Sequence, residues 1–374
     1  IIQFWSVCQP ELSMDLEMSD PQLHIVQMNN DFTGSTRVIA ECTKVLVTSF
    51  KDILVYTSGE IGLLSNLQVS KFVKIPYVFE NRVLPRLYRF LIWQVRLFIK
   101  LCNNLDRGDL VLINTCLPFS AALAARIKGC KCVYYLHEDK VGSRSLTNFL
   151  FFVIRNFATG VIYVSEYLMD HCKQYRFPPG KVLYNPTVFD KCVMTKRSDQ
   201  PFTVLMLSSF KSYKGVYSFV ELAEMNPSLN FILVISSDDD DVNRFILDNA
   251  ANINLKIFAK QSAVESFYKN ASIVINLTNP EECIETFGMT VLEGFSFGLP
   301  ALVPYVGGIS ELVIHNENGF HVDPANLLAI SRTLSDIKND NELYSRLVSS
   351  AYKRADDFSN YPILNVLTEV FGND

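Results

Sequence analysis

The sequence predicts an α/β protein of two doubly wound, Rossmann-like domains facing each other across a cleft, and three observations lead there. The chain has 374 residues, more than the roughly 100–200 of one domain. Apolar residues make up 49% and charged residues 20%, near the soluble average, so two sizeable cores can be filled and wholesale disorder is excluded. From Leu23 onward, short apolar runs alternate with turns and with longer stretches of helical spacing, the punctuation of βαβ units.

In the first half, Leu23–Met28, Ile53–Tyr56, Leu110–Asn114, Lys131–Tyr135 and Val161–Val164 read as strands, with helices such as Ser35–Thr48 and Phe119–Lys128 between them. The rhythm returns with Phe202–Leu207, Phe231–Ile235, Leu255–Phe258, Ile273–Asn276 and Ala301–Pro304. Between the halves lie Phe177-Pro178-Pro179-Gly180, then Val182 to Pro186, then the polar stretch Asp190 to Gln200, a linker by composition. The expected plan is an acidic extension over 1–22, a first domain over 23–180, a second over 181–357, and a segment, 358–374, returning to the first. Ligands of open α/β sheets bind beyond the carboxyl ends of the strands, so function belongs where the two sets of strand ends face each other.

Composition removes several classes of function. A formal net charge of −5 counts against nucleic-acid binding, which needs a basic surface. Nine cysteines form an odd set with no CxxC pair and lie far from the five histidines, so neither a disulfide scaffold nor a zinc site is expected. They read as reduced, small hydrophobes. The longest uncharged apolar stretch, Leu110 to Ala125, is broken by Asn114, Thr115 and Pro118 and is too short for a membrane span. The first 22 residues carry Glu11, Asp15, Glu17 and Asp20 without Lys or Arg, the opposite of a signal peptide's basic start. A cytoplasmic protein is expected.

Three stretches carry chemistry. After the first strand, the polar loop Asn29 to Arg37 contains Gly34 just before a helix, which lets backbone N–H groups approach a ligand at a helix N-terminus. GxGxxG and the P-loop GxxxxGK[ST] are absent, so no nicotinamide or ATP-phosphate site is indicated. In Glu285 to Pro300, Gly288 can open a helix whose free N–H groups and positive dipole end face an anion, with Glu293 about one turn inside. One reading has Glu285 and Glu293 flanking a bound diphosphate and accepting hydrogen bonds from sugar hydroxyls; the other has them as capping acids. In Ser208 to Gly215, Lys214 stands at a strand's carboxyl end and can offer a point charge to a phosphate. The run Ser236 to Asp241 admits a divalent cation on its aspartates, but its place before a helix favours a cap. No metal is expected, and His24, His171, His315 and His321 have no ligand spacing.

These residues carry a resemblance. The chain resembles the family-4 retaining glycosyltransferases of the GT-B fold, whose signature is two glutamates separated by seven residues in a context like E-x-F-G-x-x-x-x-E followed by G-x-P, reproduced by Glu285 to Glu293 and by Gly298 to Pro300. The similarity extends through Leu183-Tyr184-Asn185-Pro186, Lys214-Gly215, Val306 to Glu311 and Asn318-Gly319-Phe320. In the first half, Phe32-Thr33-Gly34-Ser35, His137-Glu138 and Val164-Ser165-Glu166 are similar to the bacterial polysaccharide branch, capsule or O-antigen.

The resemblance implies that Glu285 binds hydroxyls of the donor sugar, Glu293 the nucleotide ribose, and Lys214 the diphosphate. It also implies that the backbone of Phe287, Gly288, Met289 and Thr290 holds phosphate and sugar, that Gly34 approaches the diphosphate, and that His137 lines the sugar and acceptor side. Glu285, Lys214 and His137 are the catalytic candidates. Where the family has an arginine before the lysine, this chain has Ser208 and Ser209, with Lys211 the candidate substitute. The activity implied is retaining transfer from a nucleotide sugar, UDP favoured over GDP, to a growing polysaccharide or lipid-linked glycan without a metal or other cofactor. The rivals are a nucleotide-sugar epimerase of the same architecture and a catalytically silent binding subunit.

One helix invites a surface role. From Pro85, suited to a first helical turn, Arg86, Arg89, Trp93, Arg96 and Lys100 recur at spacings of three and four, while Leu87, Phe90, Leu91, Val95 and Phe98 occupy other faces. Either its apolar side packs on the sheet with the arginines solvated, or it lies on an anionic bilayer. The resemblance favours lipid contact, peripheral to the inner face of the cytoplasmic membrane.

Overall fold

The computed structural model describes residues 21–59, 62–80, 82–189, 191, 201–237, 239–249, 253–261, 263–359 and 362–372. In the first domain the order is β1 (Leu23–Val26), α1 (Gly34–Leu46), β2 (Ile53–Thr57), β3 (Lys71–Lys74), α2 (Val83–Asn104), β4 (Leu110–Asn114), α3 (Phe119–Lys128), β5 (Lys131–Leu136), α4 (Arg144–Phe157), β6 (Gly160–Tyr163), α5 (Glu166–Cys172) and β7 (Gly180–Val182). The second domain contains β8 (Thr203–Ser208), α6 (Val216–Met225), β9 (Asn230–Ile235), α7 (Asp240–Asp248), β10 (Leu255–Phe258), α8 (Glu265–Asn270) and β11 (Ile273–Ile275). It continues through α9 (Met289–Ser296), β12 (Ala301–Pro304), β13 (Gly319–Val322), α10 (Leu327–Asn339) and α11 (Asn341–Asp357), and α12 (Ile363–Gly372) ends the described chain.

Two parallel sheets result, with strand orders β3-β2-β1-β4-β5-β6-β7 and β10-β9-β8-β11-β12-β13. Central strands such as β1, β2 and β12 are buried along their whole length, because helices cover both faces of a doubly wound sheet. Order reverses between β1 and β4 and between β8 and β11, the two switch points where such sheets leave a crevice for ligand. The doubly wound architecture expected from the sequence is therefore present in both halves. β7 pairs with β6, so the first sheet runs on to Val182. A Cβ on Gly180 would lie 2.5 Å from the Val161 carbonyl oxygen, which reserves this close approach for glycine. After the second domain, α12 packs on α1, β5, β6 and β7.

Local sequence explains the caps. Asp239 accepts a hydrogen bond at 3.0 Å from the Val242 N–H and caps α7, while Asp238 lies outside the described residues. None of the seven cysteines among the described residues is in a disulfide.

The helix α2 departs from its expected faces. Trp93, grouped with the arginines by spacing, is fully buried and donates its Nε1–H to the Ile75 carbonyl at 2.9 Å, because an indole supplies more burial than any other side chain at that face and its N–H finds a partner there. Phe90, Leu97 and Leu101 are buried with it, on a helix that packs against α3. Leu84, Leu87, Leu91, Val95 and Ile99 are instead 47–79% exposed. Arg89, Arg96 and Lys100 are exposed beside them, and Arg86 lays its guanidinium over the Phe79 ring at 5.6 Å. Among the described residues no helix is long and apolar enough to cross a membrane.

Candidate functional site

The two switch points open onto one cavity of about 950 Å3, a volume suited to a nucleotide-sized ligand. Two helices begin at its wall. α1 starts at Gly34 after an extended Thr33, α9 starts at Met289 after Gly288, and neither has a side-chain cap. Their first N–H groups therefore face the cavity with the positive end of each dipole. Gly288 has φ 101°, and a Cβ there would fall 2.5 Å from Ile309 Cγ1; only glycine makes that turn without strain. A Cβ on Gly34 would sit 3.6 Å from Met289 Cγ, so the two helix starts touch across the cleft.

Two ion pairs stand in the cavity. Lys214, held by a turn of 3₁₀ helix that ends at Gly215 with φ 78°, contacts Glu285 Oε2 at 2.5 Å. Burial works against the Lys214 charge, but the Glu285 carboxylate more than offsets it and raises the ammonium's pKa. Inside α9, Glu293 accepts from Arg37 Nη1 at 2.9 Å and from the Tyr268 hydroxyl at 2.6 Å. Burial raises the Glu293 carboxyl, and the Arg37 charge with these two hydrogen bonds opposes the rise. Arg37 stands on α1, so the pair bridges the domains.

On the first domain's side, His137 Nε2 lies 2.8 Å from Asn114 Oδ1. The amide of Asn114 donates to Gln27 Oε1 at 2.6 Å and to the Ser35 carbonyl at 3.1 Å. Its nitrogen is thereby identified, its oxygen must accept, and His137 carries its proton on Nε2 and leaves Nδ1 as an acceptor. Burial pushes the imidazole down to about 3, so the ring is neutral at physiological pH.

Gly34, His137, Lys214, Glu285, Phe287, Gly288, Met289, Thr290 and Glu293, all named from sequence, line the one cavity. Lys211 does not: it is exposed and close enough to Asp239 to help keep that carboxyl low, after the Ser237 hydroxyl and backbone N–H groups. The turn at Ser212–Lys214 carries Lys214 inward and leaves Lys211 outside. Arg86, Arg89, Arg96 and Lys100 lie on α2, apart from the cavity lining. Sequence reading missed Arg37, Asn114, Gln27 and Tyr268. For Arg37 a signal existed, since it stands one turn after Gly34 on the same helix face. Among the described residues no group of three or more His, Cys, Asp or Glu side chains is placed to hold a metal ion.

The fold is that of two-domain GT-B proteins, and each half of the chain matches a glycosyltransferase family model. Residues 32–190 match the family model described as Glycosyltransferase Family 4, and residues 194–354 match that of Glycosyl transferases group 1. Among curated relatives, an uncharacterized glycosyltransferase of Haemophilus influenzae is 26% identical over 162 residues, 42% of this chain and 45% of the relative. A second, from Methanocaldococcus jannaschii, is 25% identical over 232 residues, 56% of this chain and 58% of its own. The chain thus spans about half the length of these two relatives. Among solved structures, Anabaena HepE in complex with UDP-glucose superposes with TM-score 0.73 at 19% identity, covering 93% of this chain and 98% of that one. Sucrose-phosphate synthase from Thermosynechococcus elongatus does so with TM-score 0.75 at 14% identity, covering 94% and 98%.

Proposed function

We propose that the chain transfers a sugar from a nucleoside diphosphate sugar, a UDP-sugar before a GDP-sugar, to a growing polysaccharide or lipid-linked glycan with retention of anomeric configuration. One observation carries the reading: two uncapped helix N-termini and Lys214 converge on a single cavity whose other charged groups include the carboxylates Glu285 and Glu293. A departing diphosphate needs preorganised positive charge, and a sugar ring and a ribose need acceptors for their hydroxyls. Anabaena HepE, which shares the fold, has been solved with UDP-glucose.

In the reaction, the bond from the anomeric carbon to the leaving phosphate oxygen breaks as the acceptor oxygen attacks on the same face, and the acceptor proton passes to that phosphate oxygen. Lys214 and the α9 terminus stabilise the charge that grows on the diphosphate, Glu285 holds sugar hydroxyls as the ring becomes cationic, and Glu293 holds the ribose. His137, neutral with Nδ1 open, accepts a hydroxyl hydrogen bond on the sugar and acceptor side. Because protein charge serves the diphosphate, transfer is expected to survive EDTA; loss on chelation with rescue by Mn²⁺ refutes metal independence. The exposed apolar and basic face of α2 supports docking on an anionic membrane where a lipid-linked acceptor resides.

The test is a screen of UDP-, GDP- and ADP-sugars by thermal shift, since a ligand of the folded state raises its stability, followed by assays with and without acceptors. Epimerised sugar in the absence of acceptor supports the rival enzyme. Glu285→Gln should leave the protein folded and lower turnover on the order of 10²-fold, and near wild-type kinetics would overturn the assignment.

A further inference from the structure

We infer that Arg37 is the second cation of the diphosphate site, supplied by the first domain where the second has Ser208 and Ser209; this rests on the nucleotide-sugar reading above. Three Lys or Arg side chains line the cavity among the described residues: Arg37, Lys214 and Lys260. Lys260 is exposed at the end of β10, and Lys211 is outside the cavity. Arg37 is the one that stands beside the paired helix starts.

Its position follows from helix geometry. Gly34 and Arg37 are one turn apart on α1, as Met289 and Glu293 are on α9, and residues so spaced share a face. The first pair meets where Gly34 approaches Met289, and the second is the ion pair at 2.9 Å. Side chains on a helix lean toward its N-terminus, so the Arg37 guanidinium leans back toward the uncapped N–H groups of Gly34 and its neighbours, where the diphosphate belongs. Glu293 occupies one of the five N–H donors of the guanidinium. The rigid fork can donate from its remaining edge to phosphate oxygens without leaving Glu293, a task a lysine's point charge performs less well. Glu293 thus serves the ribose with its own lone pairs and serves the phosphates by holding Arg37 in place.

The experiment compares wild type, Arg37→Gln and Arg37→Lys for binding of uridine, UMP and UDP by titration calorimetry or by competition against a labelled nucleotide. Uridine carries the ribose without phosphate, so the series separates the two roles of the arginine. Loss of charge-assisted contacts to phosphate should weaken UDP on the order of tenfold to a hundredfold in Arg37→Gln, with UMP less affected and uridine changed by less than about twofold. Arg37→Lys should recover only part of the UDP affinity. Equal weakening of all three ligands would overturn the inference and assign Arg37 to shaping Glu293 alone; unchanged UDP affinity would overturn it outright. Thermal melts of each variant establish that the compared proteins are folded. If wild type binds none of UDP, GDP and ADP, the nucleotide-sugar reading itself fails and the inference falls with it; if wild type binds and only the variant pattern is wrong, the reading stands and Arg37 loses its role.

Discussion

His137 owes its tautomer to the side-chain amide of Asn114 at the end of β4, since Gln27 and the Ser35 carbonyl orient Asn114 and Asn114 orients the ring. The imidazole resonances of His137 should report the Nε2–H form and remain untitrated from about pH 8 to about pH 5, as a group pushed down to about 3 requires. In Asn114→Leu the partner of Nε2–H is lost, and a mixture of tautomers should appear; an unchanged spectrum would remove Asn114 from this role. Next to it, burial pushes the Glu138 carboxyl up to about 7, and its Oε2 has no hydrogen-bond partner. The folded state then binds a proton that the unfolded chain, with an ordinary value of 4.5, releases. Stability from this group is present below pH 4.5 and is lost as pH rises through 7. Glu138→Gln removes that loss, so the melting temperature of the variant relative to wild type should increase between about pH 5 and about pH 8, by a few degrees or more. A pH-independent difference would count against the burial argument. Cavity-lining residues were legible at this scale where a spaced motif marks them, as with Glu285 and Glu293, and illegible where an orientation depends on a partner 87 residues away, as Asn114 depends on Gln27.

At the scale of elements, nine of the ten strands that the sequence announced have a neighbour on each side, β10 being the exception at an edge, and the three it hid among the described residues, β3, β7 and β13, all stand at sheet edges. β3 reads Lys-Phe-Val-Lys with both lysines exposed, which protects an edge from pairing with another chain but removes the apolar run by which a strand is recognised. The same limit explains α2. Spacing revealed an amphipathic helix, yet with arginines and leucines both at helical intervals it did not say which side would face the core; Trp93 decided that by being buried. The face left outside has Leu84, Leu87, Leu91, Val95 and Ile99 in one row beside Arg89, Arg96 and Lys100. Co-sedimentation with anionic vesicles should fall when Arg86, Arg89, Arg96 and Lys100 are changed to Gln, each basic residue contributing about 1 kcal/mol near such a surface. With Leu87, Leu91 and Val95 changed to Gln, the remaining binding should be weaker and more easily removed by salt. If wild type does not sediment with these vesicles, or neither set of changes matters, the membrane reading of α2 is wrong.

Across the whole molecule, polar contacts cross between the two domains beside the cleft. Glu311, beyond β12 in the second domain, accepts from the backbone N–H groups of Glu166 and Tyr167 at the start of α5, at 3.0 and 2.6 Å. Thr286 donates its hydroxyl to the His137 carbonyl at 2.6 Å, and Arg37 reaches Glu293. Two of these three contacts involve cavity residues, so a ligand in the cavity competes with or reinforces them, whereas Glu311 is outside the lining and separates closure from the cavity's own contacts. A carboxylate on two free N–H groups at a positive helix end is charge-assisted at both bonds. Glu311→Ala should therefore open the ligand-free protein, and the radius of gyration from solution scattering should exceed that of wild type. A saturating donor should bring the two to one value, because binding selects the closed form. The donor's KM should rise about tenfold as closure is charged against binding, while kcat stays within about twofold. Scattering curves that superpose without ligand, together with an unchanged KM, would reduce Glu311 to a local cap of α5 and leave closure to the residues of the cavity itself.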